Sequence, residues 1–145
     1  MTFARILVAI DETRQAQAAL ELAAGLAAEQ QAVLTLLTVT DRVVAYSAPP
    51  DVIIDPTLDE RLDEDAKALL AAAEATAAQH GAQVRTIVRE GQVVDAILAA
   101  IDEDHADLVV LGTHGRTGIT RVLEGSIAEA VLRATTIPVL IAHAP

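Results

Sequence analysis

The chain has 145 residues and a formal net charge of −11, with apolar residues at 52%, aromatics at 1% and no cysteine. Length sets the prior at one domain, spanning 1–145, and a chain this size buries roughly 68–70% of its unfolded surface. The absence of cysteine excludes disulfides, thiolate metal sites and cysteine nucleophiles, and the acidity disfavours nucleic-acid backbones and anionic lipids as partners.

Residues 4–10, "ARILVAI", form a short apolar run that ends at Asp11, as expected of a strand buried on both faces. Residues 13–29 read as a helix, with Ala16, Leu20, Ala23 and Ala27 on one face. "AVLTLLTVT" (32–40) is a second strand. Residues 41–56 hold three prolines and no period, and read as a long loop. A helix over 57–80 has a stripe of Leu62, Ala66, Leu69, Ala73 and Ala77, with acidic residues crowding its first turns as a solvated face. "AQVRTIVRE" (82–90) is a third strand, and its Arg85 and Arg89 suit a sheet edge. Gly91 breaks it. Residues 92–104 form a helix with Val94, Ile97, Leu98 and Ile101 at i, i+3, i+4 and i+7. "ADLVVLG" (106–112) is a fourth strand, 126–134 a short helix, and "IPVLIAH" (137–143) a fifth strand.

Strands alternating with helices imply an α/β fold with an open parallel sheet and helices on both faces. Strands 1 and 4 are apolar throughout and belong in the centre; strand 3 is charged and belongs at an edge. The order 3-2-1-4-5 satisfies both. Strand 5 is then a bare apolar edge, which pairing with a second copy through Val139, Leu140 and Ile141 would cover.

In such sheets, ligands bind beyond the carboxyl ends of the strands where the order reverses, here between strands 1 and 4. Asp11 and Gly112 stand at those two ends. The segment "GTHGRTGITRVLEGS" (112–126) follows strand 4 with four glycines, two arginines, a histidine and four hydroxyl residues. Glycines let backbone N–H groups approach a polyanion, and Ser126 lies at a helix start, where free N–H groups and the dipole favour phosphate. Ser126 can cap that helix or turn its hydroxyl to a ligand. Asp11 is open to two roles, cap of the first helix or ligand contact. Arg116 and Arg121 are either solvated or phosphate-facing. Neither G-x-G-x-x-G nor G-x-x-x-x-G-K-[ST] occurs, so a Rossmann dinucleotide site and a P-loop are disfavoured.

The spacing Gly112-x-x-Gly115, nine residues, then Gly125-Ser126 resembles the nucleotide-binding branch of the universal stress protein family. "RILVAID", "LTVTD", "REG", "ADLVVLGTHGRTG" and "IPVLIA" extend the resemblance along the whole chain. It implies a single adenine nucleotide alpha hydrolase-like domain and a homodimer joined through strand 5; the lack of a signal-peptide pattern in "MTFARILVAIDE" and of a membrane-length apolar run makes a cytoplasmic protein the expectation. The resemblance also implies a bound adenine nucleotide, ATP or else AMP or ADP, with Mg²⁺ accompanying the triphosphate. Asp11 matches the acidic residue on the nucleoside side, Val39 the strand 2 position whose backbone meets the adenine, and Leu111 and Gly112 the loop start beneath the nucleoside. His114, Gly115, Gly125, Ser126 and Ile127 match the phosphate-contacting turn and helix start. Ala9 stands where some members have proline, and "DETR" departs from the common Asp-Gly-Ser. No catalytic constellation and no metal-ligand spacing is present, so any ATP hydrolysis would be slow. The alternatives are a nucleotide-free dimeric interaction module acting on a protein partner that the sequence leaves unnamed, and a dedicated hydrolase or transferase.

Overall fold

Apolar side chains on successive strand residues point to opposite faces, so a strand apolar at every position needs helices on both sides. The computed structural model, which describes residues 2–41, 49, 51, 56–113 and 126–144, has that layering. The elements are β1 (Arg5–Ala9), α1 (Arg14–Gln30), β2 (Val33–Thr40), α2 (Leu58–Gln79), β3 (Gln83–Glu90), α3 (Val93–Asp104), β4 (Leu108–Thr113), α4 (Ser126–Ala134) and β5 (Val139–His143). The strands form one sheet in the order β3-β2-β1-β4-β5, and every neighbouring pair is parallel. This is the order expected from strand polarity.

The core divides by strand parity. Ile6 and Val8 of β1, Leu34 and Leu36 of β2, and Leu108 and Val110 of β4 pack beneath α1 and α2. Leu7, Leu37, Val109 and Leu111 face the other way, against Ile97, Ala100 and Ile101 of α3 and Ala128 and Val131 of α4. β3 carries no fully buried residue, consistent with its place at the edge. The buried stripe of α2 is Ala66, Leu70, Ala73 and Ala77, so Leu70 replaces the expected Leu69, which packs half-buried at the stripe's border. Gly91 turns the chain after β3 at φ +120°, a conformation that disfavours side chains.

At the amino ends of the strands sits a polar cluster that sequence patterns did not reveal. Asp104, whose side chain is 1% exposed, closes α3. It accepts from Thr35 Oγ1 of β2 at 2.7 Å and from Arg85 Nη1 of β3 at 2.9 Å, and its Oδ1 lies 3.8 Å from Arg5 Nη1 of β1. Arg85 is therefore more than an edge charge: it ties the edge strand to α3. Beside it, Asp107 accepts from the backbone N–H groups of Ala4 and Arg5 and anchors the start of β1. Among the described residues no helix is long and apolar enough to cross a membrane.

Candidate functional site

At the carboxyl ends of the strands the chain leaves the sheet in steps. Ile10 remains bonded to β2: its N–H donates to Leu37 O at 2.7 Å, and its carbonyl accepts from Thr38 Oγ1 at 3.0 Å. Asp11 is the first residue free of the ladder. Its Oδ1 accepts from Thr13 N at 2.8 Å and from Thr13 Oγ1 at 2.5 Å. Thr13 in turn accepts from Ala16 N at 3.1 Å and is the N-cap of α1. Of the two roles left open for Asp11, the cap of α1 belongs to Thr13 instead. The helix starts at Arg14, so only Thr13 has the spacing to reach the third helical N–H, and Asp11 braces that cap from outside.

β1 and β4 pair from Ile6–Leu108 as far as Val8–Val110, and a crevice opens beyond them. Its empty space is about 720 Å³ when the open mouth is counted in. Its apolar wall is formed by Leu37, Val39, Val93, Ile97 and Leu111, and its polar groups by Asp11, Thr13, Gln15 and Ser126. Of the residues singled out from sequence, Ala9, Asp11, Val39, Leu111, Gly112, Ser126 and Ile127 all line this one crevice. His114, Gly115 and Gly125, like Arg116 and Arg121, lie outside the described residues. Thr13, Gln15, Val93 and Ile97 were not anticipated as lining residues. For Val93 the available signal was its place directly after the turn at Gly91, at the amino end of α3.

Gly112 has a structural cause of its own beside the role its motif implies. It lies inside β4, which continues to Thr113, and pairs with Ala142 of β5. A Cβ built on it would stand 2.4 Å from both C and O of Gln15 and 2.9 Å from Ala16 N. Its missing side chain lets the first turn of α1 lie directly on β4, which closes the crevice on that side. At the far wall, α4 begins at Ser126, and both Ser126 and Ile127 are exposed at the crevice mouth.

Histidines play no part in the described lining. His80 caps the carboxyl end of α2 and meets Glu21 of α1 at 2.7 Å, a clip between two helices on the outer face of the sheet. His105 ends α3 in the left-handed conformation at φ 54°.

A fold of this order with a crevice at its reversal point can now be set beside known proteins. Residues 2–143 match the model of the universal stress protein family.

The chain belongs to that family.

It is 34% identical to the universal stress protein YxiE of Bacillus subtilis, over 96% of this chain and 98% of that one. A solved structure of a family protein from Burkholderia pseudomallei aligns over 95% of this chain and 94% of its own, with TM-score 0.76 and 28% identity. A universal stress protein in complex with cAMP covers both chains fully, at TM-score 0.72 and 25% identity. Two more distant structures share the fold: the Archaeoglobus fulgidus universal stress protein in complex with dAMP (TM-score 0.69, 22% identity, 98% and 99% coverage) and an Arabidopsis thaliana family protein with AMP bound (0.72, 14%, 98% and 92%).

Proposed function

We propose that this chain is an adenine-nucleotide-binding regulatory protein of the cytoplasm, acting as a homodimer, with at most slow hydrolysis of ATP. The observation that carries the reading is the crevice itself. Its apolar slot of Leu37, Val39, Val93, Ile97 and Leu111 suits a flat base, and Asp11 at its rim offers a carboxylate to sugar hydroxyls. The helix start at Ser126 supports phosphate on the opposite wall, because the first N–H groups of a helix have no intrahelical partner. The Gly112-x-x-Gly115 and Gly125-Ser126 spacing and the cAMP complex of a 25%-identical family protein support the same ligand class. ATP, ADP and AMP all fit these features, and Mg²⁺ would accompany a triphosphate in a chain of net charge −11.

Slow hydrolysis follows from the lining. Asp11 is its one carboxylate among the described residues, and Asp11 Oδ1 is committed to Thr13. A general base must reach the attacking water, and in this reading the one described carboxylate is turned to the sugar rather than to the phosphates.

The dimer reading rests on β5. It is an outer strand, and Val139, Leu140 and Ile141 are only half-buried within one chain. Pairing of this edge with its copy would satisfy its free backbone groups.

The test is direct. Purified protein is heat-denatured, the supernatant is run on an anion-exchange column, and the refolded or untreated protein is titrated with ATP, ADP, AMP and cAMP by calorimetry with Mg²⁺. Co-purified nucleotide or saturable binding is expected. Absence of both at millimolar nucleotide would overturn the reading and leave the dimeric interaction module in its place. Gly115→Val and Gly125→Val separate the two readings further: binding is expected to vanish while the circular dichroism spectrum is unchanged.

A further inference from the structure

Thr13 holds more of the crevice in place than its role as a helix cap requires. Its hydroxyl accepts from Ala16 N at 3.1 Å, so the N-terminal N–H of α1 occupies the oxygen's acceptor side. The hydroxyl proton is then directed at Asp11 Oδ1, 2.5 Å away. The backbone N–H of Thr13 converges on the same oxygen at 2.8 Å. Two donors from one residue on one carboxylate oxygen fix both the position of the group and its plane. Asp11 Oδ2 carries no bond to any described residue, and Asp11 lines the crevice.

We infer that Thr13 is a positioning residue that locks the Asp11 carboxylate so that Oδ2 is presented to the vicinal hydroxyls of a bound ribonucleoside, and that it thereby sets discrimination between nucleotides with and without those hydroxyls. This rests on the nucleotide reading above and deepens it. Hydrogen bonds to an ionised carboxylate are among the stronger ones, and their strength depends on prior orientation of the acceptor. A carboxylate free to rotate must be ordered at the moment of binding. One already held by two donors is not.

The experiment compares AMP with 2′,3′-dideoxy-AMP by calorimetry on the full chain, for wild type and three variants. Wild type is expected to bind AMP at least tenfold more tightly than the dideoxy analogue. Thr13→Val keeps the shape and loses the hydroxyl, so its AMP affinity is expected to fall about tenfold while that for the dideoxy analogue changes less than twofold. Thr13→Ser is expected to keep the wild-type ratio. Thr13→Val also loses the cap of α1, and Thr13→Asp controls for that. Aspartate caps helices well but has no proton to donate and repels Asp11, so the melting temperature should stay near wild type while the ratio falls toward one. Equal losses for both ligands in Thr13→Val, or an unchanged ratio in Thr13→Asp, would show a purely structural role and overturn the inference with nucleotide binding intact. A wild-type ratio near one would do the same. Wild-type protein that binds neither ligand would overturn the nucleotide reading and this inference together.

Discussion

Replacing Gly112 by alanine puts one methyl group where the fold has no room. Its Cβ would lie 2.4 Å from C and O of Gln15 and 2.9 Å from Ala16 N. All three are backbone atoms, so no side-chain rotation relieves the contact, and the first turn of α1 must retreat by about 1 Å to restore a separation of 3.4 Å. Neither partner is free to move. β4 is held between β1 and β5, and α1 packs its Ala16, Ala19 and Leu20 into the core. Overpacking of this kind costs about 1–3 kcal/mol. For a domain of this length that lowers the melting temperature by about 3–10 °C. Scanning calorimetry of Gly112→Ala measures it. The same retreat shifts Thr13 and Asp11, so AMP affinity is expected to fall as well. A variant that melts at or above the wild-type temperature would refute the close-approach argument.

Gly25→Ala should do the opposite. Its Cβ would meet only His80 Nδ1, at 3.9 Å, so removing a mid-helix glycine from α1 is expected to stabilise by about 0.5–1 kcal/mol in the same melting assay. Asp104→Asn turns an amide donor toward Arg85 or Thr35 in a buried position; a loss of about 2 kcal/mol by urea titration is expected. Because that cluster lies at the end of the sheet opposite the crevice, AMP affinity should stay within twofold. His80→Ala removes an exposed clip and should cost less than about 1 kcal/mol, again by urea titration. Under the dimer proposed above, Val139→Lys places a charge on the β5 edge, and light scattering after gel filtration is expected to show a shift from dimer to monomer with the far-ultraviolet spectrum unchanged.

Strand order was legible because burial writes itself into composition. Parallel strands covered on both faces must be apolar at consecutive positions, as "ILV" of β1 and "LVVL" of β4 are, while Arg85 and Arg89 mark β3 as the edge. The crevice followed from that order, because reversal points are where ligands bind. What stayed hidden depends on contacts between distant residues. Asp104 looked like one more surface acid, yet it falls on the buried face of α3 at the spacing of Ile97 and Ile101, and that phase was the available signal. Its partners Thr35 and Arg85 lie 69 and 19 residues away, and no local pattern joins them. Asp11 and Thr13 are both good caps, and only the observed start of α1 at Arg14 decides between them. The motif accounts for Gly112 only as a glycine of the crevice lining. Its contact with Gln15 arises only once α1 folds back on β4.

The described wall of the crevice and the overall charge together constrain how a nucleotide would be held. Its apolar slot and Asp11 suit a base and a sugar, but its one formal charge among the described residues is negative. A chain of net charge −11 also repels a triphosphate at long range. Phosphate must therefore be met by neutral backbone N–H groups at the start of α4, by bound Mg²⁺, or by the segment between Thr113 and Ser126 with Arg116 and Arg121. These sources respond differently to the ligand's charge. Helix N–H groups at Ser126 contribute a similar increment to AMP and ATP, because they bind one phosphate group. Mg²⁺ favours ATP alone. Titrating adenosine, AMP and ATP with and without Mg²⁺ separates the contributions. Equal affinity for adenosine and AMP would mean that the wall at Ser126 does not hold phosphate, and that the crevice is a nucleoside site.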